Sequence, residues 1–350
     1  MTTAKDIAAR LQISASTVGR ALADDPRISA ATKQRVMEAA AEIGYVASRA
    51  ARMMRGVSSN LVGLVLPDIR NGFFSTIAHS LSKCLEAGEY QLMLSESDDD
   101  RSVELKHLRE LSSANVAGVI IVPTARPLAE SARLLAQTPH IQLLRRHPSL
   151  GEQWFGIDDT RALELATEHL LELGHERIAY IGSSAELTTG ASRVRGFRNA
   201  IRGTAAAEQA NEVLDRPSAM DAARDGLRRL LALPKPPTAI VMGSVQMTLG
   251  VLEELIHLGV RVPDELSLVG FGDELGFRWW GPGLTTLTLP VSELATACGL
   301  WFLHQLKQKT PSTTPYSSIT PAVLVVRGST RRIGPPTVRP VVAALDAAEQ

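Results

Sequence analysis

From residue 61 onward, short apolar runs alternate with stretches in which apolar residues recur every three or four positions, and this alternation leaves few folds open. The runs fall at 61–67, 90–95, 117–122, 141–144, 177–182, 238–242 and 266–271, and the helical stretches at 73–88, 101–114, 160–174, 191–203, 219–233 and 244–259. A strand apolar on both faces needs helices above and below it, and strand–helix–strand crossovers place them there in a parallel sheet. The length calls for two such sheets in succession, with a switch near 155–159 and returns near 288–290 and 316–320. The expected fold is therefore an α/β core of two doubly wound parallel-sheet subdomains. Ligands of such sheets bind beyond the carboxyl ends of the strands, so the loops at 67–74, 123–127, 145–147, 158–159, 182–193, 243–246 and 272–281 should line one cleft.

Those loops carry no Gly-x-Gly-x-x-Gly opening a helix, no phosphate-binding Walker loop, no metal-spaced His/Glu pair and no serine elbow. Catalysis has no visible machinery, and neither a cofactor nor a metal is expected. Cys84 and Cys298 stand far apart in sequence without ligand spacing and read as packing thiols. No run of 18 apolar residues exists, and the first residues lack the basic-then-apolar profile of a secretory signal. The expectation is a cytoplasmic protein with no membrane partner.

The first sixty residues are different. They hold nine Lys and Arg against five acids, whereas the remainder holds 28 basic and 32 acidic residues, so the formal net charge of +0 conceals a basic head on an acidic body. A module that contacts phosphates, attached to an unrelated sensor, should show this asymmetry. Three short helical patterns follow one another, carrying Ile7, Ala8 and Leu11, then Val18, Ala21 and Leu22, then Val36, Ala40 and Ile43. Ser14 and Ser29 are placed to cap the second and third, neither with the Glu or Gln of a full capping box, and Gly44 to stop the third. Only Gln12-Ile13-Ser14 separates the first two, which makes a helix-turn-helix. With the second helix in a major groove, Ala15 and Ser16 meet base edges and Arg20 follows one turn on. Arg20 is the side chain best able to specify a base, since its planar fork reaches both acceptors of a guanine. Thr17 and the third helix around Lys33 and Arg35 should touch phosphates; Lys5, Ser14 and Ser29 complete the set expected at double-stranded DNA.

The strings Lys5-Asp6-Ile7-Ala8-Ala9-Arg10-Leu11, Ser14 to Leu22, Ile28-Ser29, Arg35-Val36 and Ile43-Gly44-Tyr45 resemble the headpiece of the lactose-repressor (LacI) family of bacterial regulators. The resemblance runs on through Val62 to Asp68, Asn71-Gly72-Phe73-Phe74, His169 to His175, Arg177 to Gly182, Val262-Pro263-Asp264, Val269-Gly270-Phe271, Leu284 to Leu287 and Val326 to Thr330. It implies a ligand-responsive regulator, a repressor by family habit, that binds a palindromic operator as a homodimer. The core would be a periplasmic-binding-protein-like sensor whose effector is a sugar or sugar acid. The alternative is a solute-binding protein of similar core without DNA function. Departures in the headpiece are Gln12 for the usual glycine, Gly19 for serine and Ala23 for asparagine.

The expected division is 1–47 headpiece, 48–59 hinge, 60–333 core and 334–350 tail. The core splits into one subdomain of about 60–158 with 288–318 and another of about 159–287 with 319–333. Residues 48–56 contain good helix formers but make only about two turns, too short to be stable alone. In the resembling family this hinge folds against DNA and its symmetry mate, with Arg52 at the duplex and Met54 where a leucine wedges into the minor groove; a flexible basic linker is the other reading. Within the core the resemblance implies that Phe73 and Phe74 stack on the effector, that Arg193 donates a forked pair of hydrogen bonds and that Asp158 accepts hydroxyls. Arg145 and Trp279 would border the cleft. Each has a plainer reading: Phe73 and Phe74 as core, Asp158 as a helix cap, Arg145 in an ion pair. Ser244 and Asp273 stand at the departures Ser244-Val245 and Gly272-Asp273, where relatives carry Asn-Asp and Asp-Asp. Two carboxylates fewer beside Arg145 and Arg193 should favour an anionic effector.

Overall fold

The computed structural model describes residues 3–22, 25–45, 59–215, 220–308 and 314–333. The hinge, with Arg52 and Met54, the headpiece position Ala23 and the tail 334–350 lie outside the described residues.

Three helices form the headpiece, α1 (Ala4–Leu11), α2 (Ala15–Leu22) and α3 (Ala30–Glu42). None is long enough to hold itself together in water, and they stabilise one another by burying Ile7, Ala8, Val18, Ala21, Val36, Ala39 and Ala40 in one small core. Local signals fix their ends. Ser14 Oγ accepts from the Thr17 amide at 3.0 Å and Ser29 Oγ from the Thr32 amide at 3.3 Å. Thr3 and Asp6 add a reciprocal capping box at α1, with the Thr3 amide 2.6 Å from Asp6 Oδ2. An aspartate stands here where the motif usually has Glu or Gln, so the pattern does not mark the box. An ion pair between Arg10 and Glu42 ties α1 to the end of α3, and Gly44 follows α3 at φ +62°.

The core holds two six-stranded sheets. The first contains β1 (Leu61–Leu66), β2 (Gln91–Glu96), β3 (Gly118–Ile121), β4 (His140–Leu143), β5 (Trp154–Ile157) and β11 (Ser317–Thr320), in the order β11-β5-β4-β3-β1-β2, all parallel. The second contains β6 (Ile178–Ser183), β7 (Asn211–Asp215), β8 (Ala239–Met242), β9 (Ser267–Phe271), β10 (Thr285–Thr288) and β12 (Val323–Val325), in the order β12-β10-β9-β8-β6-β7. The winding is the same in both. β1, β3, β6 and β8 are buried along their whole length, as strands covered on both faces must be, whereas the edge strand β2 is half exposed.

Helices α4 (Gly72–Glu86), α5 (Arg101–Ser113), α6 (Ala129–Leu135) and α11 (Val291–Lys307) belong to the first lobe, and α7 (Asp159–Glu172), α8 (Thr188–Ile201), α9 (Met220–Leu231) and α10 (Val245–His257) to the second. α4 buries Phe74, Ile77, Ala78, Leu81 and Leu85 at helical spacing. α11 lies along it, close enough that a β-carbon on Gly299 would come within 2.9 Å of Cys84 Sγ. The chain passes between lobes after β5, after β10 and after β11.

Two features correct the expected pattern. β12 runs antiparallel to β10, because only Pro321 and Ala322 separate it from β11 and no crossover returns the chain to the other end of the sheet. α6, β7, α11 and β12 add to the expected elements. α11 carries Ala295, Ala297, Cys298, Leu300, Trp301, Phe302 and Leu303 with almost no polar interruption, which erases the one-sided stripe that betrays a surface helix.

Candidate functional site

The headpiece turns one face of α2 outward. Val18 and Ala21 point into the three-helix core, and helical geometry sends Ala15, Ser16 and Arg20 to the exposed side. Ser14, Ser16 and Thr17 are linked through hydroxyl–hydroxyl contacts of 2.8 Å at the helix start, where backbone amides and the positive end of the helix favour a phosphate. Lys5 and Ser29 are exposed as well, the latter 2.9 Å from Thr32 Oγ1. Gln12, at the tight turn before α2, sits at φ +53°, a left-handed conformation that costs a side-chain-bearing residue about 1 kcal/mol. A glycine would adopt it freely, which gives the departure at this position a physical meaning.

In the core, the carboxyl ends of both sheets contribute to a cleft, and the expected effector residues can be followed one by one. Phe73 is half-buried and lines a cavity of about 280 Å³ with Gly72, Asp273, Glu274, Arg278 and Thr288. Phe74 packs edge-on against it at 5.5 Å but belongs to the hydrophobic core, so its plainer reading holds. Asp158 caps α7, its Oδ1 accepting from the Arg161 amide at 3.0 Å. Ser244 Oγ likewise accepts from the Met247 amide at 3.2 Å at the head of α10. Trp279 is 73% exposed at the end of a single 3-10 turn and does not line the cavity. Larger hollows of about 480 and 630 Å³ exist, one at the amino ends of β4 and β5, the other between α9 and α10. Both lie away from the strand ends where ligands of such sheets bind.

The two cleft arginines require a correction. Arg145, with its side chain 8% exposed, pairs with Asp99 through both guanidinium ends and touches the Pro123 carbonyl at 3.4 Å. Arg193, 11% exposed, donates from Nε to Asp159 Oδ1 at 2.7 Å and from Nη1 to the Gly243 carbonyl at 2.8 Å, while its guanidinium lies 4.0 Å from the Phe271 ring centre. Burial pushes the Asp159 carboxyl up and the adjacent Arg193 pulls it back. Neither arginine supplies unbalanced positive charge, so the argument for an anionic effector loses its basis. Asp99 and Asp159 lie 46 and 34 residues from their partners, beyond any local sequence signal.

Asp273 is held in the same manner, its Oδ1 2.8 Å from Arg327 Nη1 and its Oδ2 3.3 Å from Arg278 Nη2. Arg327 lies inside the Val326–Thr330 string, where nothing local marks it as the partner of Asp273. The structure thus brings Phe73 and Asp273 together at the cavity, holds Arg145 and Arg193 in ion pairs and leaves the other core candidates as caps, core or surface.

The comparisons bear on this arrangement. Residues 3–48 match the model of bacterial regulatory proteins of the lacI family, and residues 167–330 match a periplasmic binding protein-like domain. The ribose operon repressor of Halalkalibacterium halodurans is 30% identical over 332 residues, spanning 95% of this chain and 98% of its own. This chain belongs to the LacI family. The transcriptional repressor CytR of Escherichia coli K12 is 27% identical over 95% of this chain and 97% of its own. The lac repressor dimer bound to operator and an anti-inducer superposes with a TM-score of 0.78 at 23% identity, covering 94% of this chain and 99% of that one. This LacI-family protein is accordingly a DNA-binding transcriptional regulator and not an enzyme. Among the described residues no cluster of three His, Cys, Asp or Glu side chains is placed to hold a metal, and no helix is long and apolar enough to cross a membrane.

Proposed function

We propose that this regulator is a cytoplasmic homodimeric repressor whose headpieces read the two halves of a palindromic operator and whose core binds a small polyhydroxylated effector of the sugar class. The observation that carries the reading is the exposed Ala15–Ser16–Arg20 face of α2, joined in one chain to a two-lobed α/β cleft. A two-fold protein matches a two-fold operator, with half-sites about one helical turn apart or a multiple of it. The relative named for ribose supports a sugar rather than a nucleic-acid base. Because Arg145 and Arg193 are paired with the carboxylates of Asp99 and Asp159, a neutral sugar is preferred to a sugar acid. Phe73 would face the C–H side of a sugar ring.

The working division keeps 1–47 as reader, 48–59 as hinge and 60–333 as sensor. The hinge would wind into a helix only on DNA, with Met54 as the wedge and Arg52 beside it, so that the lobes govern DNA affinity through hinge spacing.

A gel shift of the full chain with fragments of its own genome tests the reading, followed by thermal-shift screening against neutral sugars, sugar acids and nucleosides. Sub-micromolar, salt-sensitive, sequence-selective binding is expected, together with a rise in melting temperature for a neutral sugar. Absence of selective DNA binding at low salt would overturn the regulator reading; stabilisation by uronates alone would overturn the choice of neutral sugar.

A further inference from the structure

At one end of the cleft the second lobe reaches across and touches the first. After β9 the chain turns at Gly272, with φ +82°, and this turn sends Asp273 back to Arg327 while the next residue, Glu274, comes up against the head of α4. A β-carbon on Gly72, the first residue of α4, would lie 2.9 and 3.0 Å from the two Glu274 carboxylate oxygens, closer than such atoms pack. Glycine therefore creates the space that the carboxylate fills. The position also suits a negative charge, since α4 is 15 residues long and its amino end carries the positive pole of the helix.

Two independent bonds bridge the lobes at other points. Arg126, in the loop after β3, forms an ion pair with Glu186, in the loop after β6. The Arg146 amide donates to Thr188 Oγ1, at the start of α8, at 3.2 Å. Arg146 belongs to a turn that is itself under load: Leu144 is held at φ +63°, a conformation rare for a bulky residue. The Trp154 indole donates to the Leu144 carbonyl at 3.0 Å, and the Arg146 guanidinium sits 4.7 Å from the Trp154 ring centre. Among the described residues these two contacts join the lobes in addition to Glu274 at Gly72 and to the hydrophobic cluster that both lobes share.

We infer that Glu274 is a built-in latch: its carboxylate, seated on Gly72 at the head of α4, holds the two lobes together. Glu274 and Gly72 both line the 280 Å³ cavity. A molecule bound in this cavity would meet the carboxylate and compete with α4 for it, so its arrival would loosen the latch. That consequence rests on the core being an effector sensor, whereas the latch itself is a property of the chain alone.

The test is amide hydrogen exchange on the full chain without added ligand, comparing wild type with Glu274→Ala and Gly72→Ala. The informative segments are 144–147 and 184–190, which carry the other bridges and lie outside the substituted loops. Both variants are expected to speed exchange there roughly tenfold while circular dichroism shows unchanged secondary structure. Faster exchange confined to 71–76 and 272–278, or none, overturns the inference, because the lobes would then be held without the latch. If Gly72→Ala unfolds the chain, Glu274→Gln, which keeps the size and removes the charge, decides by the same criterion. A gel shift on the same preparations reports on the regulator reading separately.

Discussion

The side chains that matter most divide into those that face outward to be read and those that are spent holding one another. Arg20 is of the first kind. Its replacement by alanine is expected to cost about 1–3 kcal/mol of specific DNA affinity and to relax preference at one base pair per half-site, measured by gel shift on an operator and its single-base variants. Arg193 is of the second kind. Arg193→Leu leaves the Asp159 carboxylate buried and unpaired, at a cost of about 3–5 kcal/mol in chemical unfolding, and the double substitution with Asp159→Leu should restore much of the loss. Asp158 discriminates between roles directly. As the cap of α7, it should tolerate Asp158→Ser, while Asp158→Ala loses about 1 kcal/mol. An effector contact would instead make both substitutions equally harmful to ligand binding.

Among the elements, β6 shows how a sheet is fitted around one ring. Tyr180 is fully buried, stacks on Phe197 of α8 at 5.4 Å, and lies so close to the backbone that a β-carbon at Gly182 would sit 2.0 Å from its hydroxyl oxygen and one at Gly243 2.2 Å. Among the described residues that hydroxyl has no hydrogen-bond partner, and burial pushes its pKa up. Tyr180→Phe should therefore stabilise the chain by about 1 kcal/mol, since it removes an unsatisfied buried polar group. Gly182→Ala should cost about 1–3 kcal/mol through overpacking, and the Phe background should leave most of that cost in place, because the ring carbons Cζ and Cε1, at 2.1 and 2.4 Å, collide as well as the hydroxyl. Thermal melts of the four variants form a cycle that checks both statements.

For the whole molecule, stability should depend on pH through a buried imidazole. His175 lies where α7 ends, its Nε2 3.1 Å from the Arg331 carbonyl and its Nδ1 2.9 Å from Thr238 Oγ1, a pattern that suits the neutral ring. Burial lowers its pKa from 6.5 to about 4. Between those values the unfolded chain binds a proton that the folded chain refuses, so stability is full above the unfolded value and falls as pH drops through the window, by up to about 3 kcal/mol. Burial depresses the nearby His169 in the same direction. Denaturant melts at pH 5 and pH 7 should show the loss, and His175→Gln should flatten it.

How much of this was legible beforehand depends on the range of the forces involved. Most helices and strands, the caps at Ser14 and Ser29 and the outward face of α2 follow from interactions within a few residues, and the linear order of amino acids determined them; α6, β7, α11 and β12 did not show in it. The two sheets followed too, because runs such as Leu61–Leu66 can be buried in only one kind of layer. The partners of the cleft charges did not. Asp99 meets Arg145, Asp159 meets Arg193, Asp273 meets Arg327 and Glu274 meets Gly72 only after crossovers bring distant strand ends together, and no periodicity encodes those meetings. Charge counted along the chain gave two available arginines; charge paired in space gave none, since a buried ion persists only beside its counter-ion and tertiary packing alone chooses which one that is.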